Sequence, residues 1–166
     1  MITFPLLLLA GCALWSHDMN PDTPTMACAR SQDLELCVQA DGALLSFALA
    51  NRGSQPLTVQ GAVEGPNGRH WDVLRVEIAA LARTLRFTGD RNSSTIGQVV
   101  LASGQSVEDT LDLAAWAREP INGATPLPHE PLEIHAIYSL SRPGLWNGEL
   151  DCGPVLLQVP VLDVQL

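Results

Sequence analysis

The sequence predicts an all-β protein, an antiparallel β-sandwich of about seven to nine strands with little helix. Three observations predict it. Beyond Leu34 apolar residues recur at every second position, the period of a strand with one buried face. Gly, Pro, Asn and Asp interrupt that alternation every ~8–12 residues, the strand length of sandwiches and barrels. The chain has 166 residues, enough for one core and one domain.

The elements follow in chain order. Met1 to Cys12 is an uncharged apolar run ending in small residues. It is too short to cross a bilayer as a helix, which takes ~20 residues, and it has the length of a signal-peptide hydrophobic region. Leu9, Ala10, Gly11 and Cys12 resemble the lipobox of bacterial lipoproteins. The resemblance implies cleavage between Gly11 and Cys12, a diacylglycerol on the Cys12 sulfur and acylation of the new amino terminus. Residues 1–11 are then a signal peptide, and the mature chain is held in the membrane by its covalent lipid. The chemistry agrees, because lipid transfer needs a thiolate and each buried CH₂ of an acyl chain contributes ~0.8 kcal/mol. Residues 1–4 lack the basic residue usual in such signals, so either the amino terminus supplies the charge or the true start lies upstream. Ala13 in place of Asp resembles the outer-membrane sorting pattern of diderm bacteria, which implies the outer membrane of the cell envelope.

Residues 12–33 are polar, with Pro21 and Pro24 and no regular period, and are expected to form a lipidated tether. The sandwich is expected over residues 34–166. Leu34, Leu36, Val38 and Ala40 alternate with Glu35, Cys37 and Gln39, and Asp41-Gly42 ends the strand. Ala43, Leu45, Phe47 and Leu49 share the next inward face up to Asn51-Arg52-Gly53, where glycine is expected to supply a positive φ. Leu57 to Val63, Leu74 to Ile78, Val107 to Leu113 and Leu132 to Leu140 continue the period. Pro154 is expected to open a last strand through Val161, with Pro160 marking an edge or a bulge. Two helices are expected, Glu77 to Leu85 and Asp112 to Arg118, the second capped by Asp112 and stopped by Pro120. The long loop from Arg118 to Pro131 is a candidate functional surface.

Asn51-Arg52-Gly53, Pro56-Leu57, Ser103-Gly104-Gln105-Ser106-Val107, Leu111-Asp112-Leu113 and Trp146-Asn147-Gly148-Glu149-Leu150 are turn and strand phrases spread from Leu34 to Val159. Together they resemble the small β-sandwich that precedes secreted metalloendopeptidases of the deuterolysin and peptidyl-Lys type. The resemblance implies an immunoglobulin-like sandwich acting as a non-catalytic accessory. The chain departs from that family around Ile121 to Pro128, where an insertion replaces a short approach to the next strand, and it contains no His-Glu-x-x-His run.

Charge and chemistry narrow the function. The formal net charge is −9, and all nine basic residues are arginine. Without lysine there is no P-loop, pyridoxal Schiff base or Ser/Lys dyad. An acidic domain repels phosphate backbones and anionic lipid head groups, so nucleic acid is not an expected partner. His129 and His135 are six positions apart with Pro131 between them, unlike the i, i+4 pair of a zincin helix, so no metal or cofactor is expected. Gly104-Gln105-Ser106 lacks the Gly-x-Ser-x-Gly elbow, and Glu108, Asp109 and Asp112 do not match an EF-hand.

With Cys12 lipidated, Cys28, Cys37 and Cys152 remain in an oxidising compartment, and one disulfide plus one odd thiol is expected. Three pairings are open. Cys28 with Cys37 closes a small loop, whereas either with Cys152 ties the first strand to the last, the arrangement favoured on sequence. Partner-binding candidates are Trp146 with Arg142, since Trp and Arg dominate binding hot spots, and His129 with Glu130 at the end of the long loop. The resulting expectation is a non-enzymatic envelope lipoprotein that binds a protein partner, for example as an inhibitor or immunity protein. The alternatives are a structural or accessory module of an envelope or secretion complex, or a hydrolase with an unrecognised site.

Overall fold

The computed structural model describes residues 25–61, 63–65, 68–71, 73–86 and 97–159. The lipobox with Gly11 and Cys12, and residues 13–24 of the expected tether, lie outside the described residues. Twelve strands are described: β1 (Thr25–Ser31), β2 (Leu34–Asp41), β3 (Leu44–Asn51), β4 (Leu57–Gln60), β5 (Val63–Gly65), β6 (Gly68–His70), β7 (Leu74–Ile78), β8 (Arg83–Arg86), β9 (Gln98–Leu101), β10 (Ser106–Asp112), β11 (Leu132–Leu140) and β12 (Gly148–Leu157). One short helix, α1 (Leu113–Ala117), joins them. The all-β expectation with little helix therefore holds.

Two antiparallel four-stranded sheets face each other, one ordered β1-β2-β3-β10 and the other β12-β11-β7-β8. Their inner faces are the alternating apolar positions. Leu34, Leu36, Val38, Leu45, Phe47 and Leu49 come from the first sheet, and Val76, Ile78, Ile134, Ala136, Tyr138, Val155 and Leu157 from the second, all buried in one continuous core. Trp71, fully buried, sets its ring 6.1 Å from that of Phe47. Removing one such aromatic costs ~3–5 kcal/mol through lost burial and the cavity left behind.

Three features depart from the sequence expectation. Strand β1 lies in the stretch expected to be tether. It pairs with β2 from Thr25↔Ala40 to Ser31↔Leu34, and its inward positions are the small residues Ala27 and Ala29, too weakly apolar to announce a strand. The helix expected from Glu77 to Leu85 is instead a hairpin, with Ile78↔Arg83 closing it around a single 3₁₀ turn, Ala79–Leu81. Ile78 and Leu85 are core-facing strand positions on either side of that turn. Pro154 does not open the last strand but sits inside β12, where Gly153 and Pro154 together oppose His135 in a bulge. A Cβ at Gly153 would come within 2.8 Å of the Ile134 carbonyl, so the bulge requires glycine.

The corner where β3 bends into β4 is built around Asn51, which is fully buried. Its side-chain N–H groups donate to the carbonyls of Gln55 (2.8 Å) and Leu101 (2.9 Å), and its Oδ1 accepts from Gly53 N–H (2.9 Å). Its own backbone exchanges hydrogen bonds with Gln105 and Gly104 in the turn before β10. Gly53 is needed here for closeness rather than for positive φ, because a Cβ would collide with the Asp33 carboxylate. Beyond the corner the β4–β9 ribbon meets the second sheet, where the backbone N–H of Trp146 donates to Thr58 O (2.9 Å) and Tyr138 Oη–H to Gln60 O (2.6 Å).

Residues 113–131 run from β10 to β11 across the open side of the sandwich. The expected Asp112 cap is formed, its Oδ1 accepting from Ala115 N–H at 3.0 Å. Leu113, Trp116, Ala117, Asn122 and Leu127 are buried. The Arg83 guanidinium on β8 donates to the carbonyls of Thr125, Ala117 and Asn122 at 2.5–2.8 Å. Asn122 Oδ1 accepts the Arg86 N–H (2.8 Å), and its amide donates to Trp116 O (3.0 Å). The segment expected to be a functional loop thus covers the side of β8 and supplies a partner to the Arg86 N–H, which an open edge would leave bare.

Candidate functional site

Alternation decides which chemical groups reach solvent. On β1 and β2 the inward positions are apolar, so Cys28 and Cys37, register partners across the ladder, both point outward and form a disulfide. Cys152 points inward from the opposite sheet, fully buried, with its thiol donating to Ala27 O (2.9 Å). The terminal staple favoured on sequence is therefore not made: Cys152 faces the core, whereas its expected partners face solvent. Burial pushes the Cys152 thiol up to about 11, so at neutral pH it is protonated and a poor nucleophile. Burial likewise raises the Tyr138 phenol well above its ordinary value, and its bond to the Gln60 carbonyl offsets this only in part.

The recognition patch expected from Trp146 and Arg142 is not formed. Trp146 is buried, its ring 5.7 Å from that of Tyr138. Arg142 is exposed in the turn beside it, and its backbone N–H donates to Asn147 Oδ1. His129 and Glu130 are exposed just before β11. His135 lies instead on the outer face of β11, its Nδ1 2.8 Å from Asp151 Oδ1. Beside that pair Arg75 reaches Glu77 (3.1 Å) and Glu149 (3.5 Å). Glu77, His135 and Asp151 line a depression of about 390 Å³, and exposed pairs of this kind contribute little to stability.

The acidic residues of β10 separate in the same way. Glu108 is exposed, whereas Asp109 turns inward, accepting the Trp71 indole N–H (2.9 Å) and the Thr110 N–H (2.8 Å). Asp112 caps α1. Among the described residues no group of three or more His, Cys, Asp and Glu side chains is placed to hold a metal ion.

A larger concavity lies elsewhere, on the solvent face of the first sheet. It is a trough of about 600 Å³ lined by Met26, Cys37, Gln39, Ser46, Ala48 and Glu108 among others. Ser46 and Thr110 hydroxyls meet across it at 3.3 Å. Of these residues sequence singled out only Cys37, as a disulfide candidate, and Glu108, in an acidic run that matches no EF-hand. The signal available was the placement of Ser46 and Ala48 on the outward side of β3, where small side chains leave a furrow.

An all-β sandwich with an outward disulfide and a shallow trough edged by Glu108 is the class that fold and surface define. Comparison of the chain with protein-family models, with curated proteins and with solved structures finds no match.

Proposed function

We propose that the chain is an exported, lipid-anchored envelope protein whose sandwich is a non-catalytic module binding a protein partner. The observation that carries this reading is the Cys28–Cys37 disulfide, since such bonds persist in oxidising compartments such as the periplasm or cell surface. Export fits the apolar run ending at Cys12 and its lipobox resemblance. The buried Cys152 thiol and the Asp109 carboxylate, which accepts the Trp71 indole N–H, support a binding role over hydrolysis. The resemblance to the accessory sandwich of deuterolysin-type enzymes supports the same role.

Mass spectrometry of the protein purified from its membrane is expected to find an amino-terminal, lipid-modified Cys12, and Cys12→Ser is expected to release the chain from the membrane fraction. An intact unmodified Met1, or a Cys12→Ser chain that stays as firmly bound, would defeat the proposal. Cross-linking in the envelope is expected to join the chain to a second polypeptide.

A further inference from the structure

We infer that the trough on the solvent face of the first sheet docks an extended, basic and partly apolar segment of the partner protein; this rests on reading the chain as a partner-binding module. Side-chain size makes the trough. The outward residues of β3 are Ser46 and Ala48, flanked in register by Gln39 and Cys37 on β2 and by Thr110 and Glu108 on β10. Short side chains between longer ones leave a furrow along the strand. On β3 its lining runs from Ser46 to Ala48, roughly 10 Å at ~3.4 Å per residue, enough to seat about three residues of an extended chain.

Its walls select the occupant. One side is uncharged and adaptable: the disulfide, and Met26, which is 65 % exposed and whose flexible thioether fits varied apolar partners. The other side carries Glu108, with Asp41 on the same outer face. Among the described residues neither carboxylate pairs with a cation. The cations of that face are already engaged, Arg52 with Glu35 (2.7 Å) and Arg30 with the carbonyls of Gln32 and Arg52. A partner that supplies both an apolar side chain and a positive charge satisfies the surface. Anionic lipid and nucleic acid are repelled by it. A second copy of the chain, face to face, would set Glu108 and Asp41 against their equivalents without a cation between them.

The test uses the full chain in two arms. In the first, a labelled peptide of about nine residues, with Arg and Val alternating on one face and Ser between them, is titrated by fluorescence anisotropy. It is expected to bind, to weaken at least about tenfold in Ala48→Arg and Glu108→Arg, and to weaken as salt is raised. The same peptide with Glu for Arg is expected not to bind. Equal affinity for both variants and the unaltered chain, or tight binding of the Glu peptide, would overturn the inference. Glu108 is exposed, so Glu108→Arg carries this arm alone if Ala48→Arg fails to fold.

In the second arm a photo-cross-linking residue replaces Ser46, Thr84 or Val100 in the cells that make the protein. An adduct with another polypeptide from Ser46, abolished by Glu108→Arg, supports the trough. Adducts only from Thr84 or Val100 overturn the trough while leaving partner binding intact. No adduct from any position overturns both, and a Ser46 adduct that is a second copy of the chain overturns the basic segment as occupant.

Discussion

Asn51 holds two chain reversals with one side chain, and the structure leaves nothing else there to replace it. Asn51→Ala strands the carbonyls of Gln55 and Leu101 and the N–H of Gly53. Orphaned buried groups cost ~1–3 kcal/mol each, so a loss of about 3 kcal/mol is expected in urea denaturation. Asn51→Asp restores only the acceptor and is expected to recover a minor part of it. Cys152 makes a second prediction. Its folded-state value, about 11, lies above the ordinary thiol value of 9.0, so between those limits the folded chain binds more protons than the unfolded one. Its contribution to stability is therefore complete below about pH 9 and lost as pH rises toward 11. Melting temperatures across that range are expected to fall less steeply in Cys152→Ala. Below pH 8 the thiol is expected to resist iodoacetamide until the chain is unfolded. Both assignments were partly legible. The outward place of Cys37 between Leu36 and Val38 follows from the period, but the outward place of Cys28 does not, because its neighbours are alanines.

Strands were readable wherever large apolar residues alternated, as in β2, β3 and β11, and illegible where small ones did the same work, as in β1. The hairpin of β7 and β8 shows the other limit. Its four-residue connection contains three alanines and a leucine, all good helix formers, and the left-handed Ala82 that ends its 3₁₀ turn carries no Gly or Asn to signal it. Cross-strand pairing overrode propensity. The segment after β10 was legible as a capped turn and a proline-rich loop, but its work as a cover was not. That work depends on Arg83, distant in sequence. Arg83→Ala removes donors from three carbonyls and is expected to cost about 2–4 kcal/mol, given ~1.5–3 for hydrogen bonds to a charged group, with partial replacement by water. Hydrogen exchange is expected to accelerate first at Arg86, whose amide depends on Asn122. Unchanged protection there would show that the cover does not rely on this clasp.

Across the molecule the two sheets, the β4–β9 ribbon and the covering segment share one core, so no part of the described body has an interior of its own. Tryptophan fluorescence and far-ultraviolet circular dichroism are expected to report one coincident unfolding transition in urea. A separate early change in fluorescence would mean that Trp116 and the covering segment detach before the sheets. The fold class was the most legible feature of the chain, since period and turn spacing are properties of every strand at once. The trough was the least legible, because a concave surface arises from the relative heights of side chains on three strands whose register no single stretch contains. The outward placement of the Cys28–Cys37 bridge gives that surface a history. The core beneath does not use the two sulfurs, so a chain kept among cytosolic thiols can build the same interior and still lack the clasp that holds its first strand to the second. Within the proposed docking face, a partner that touches the bridge would then distinguish oxidised molecules from reduced ones.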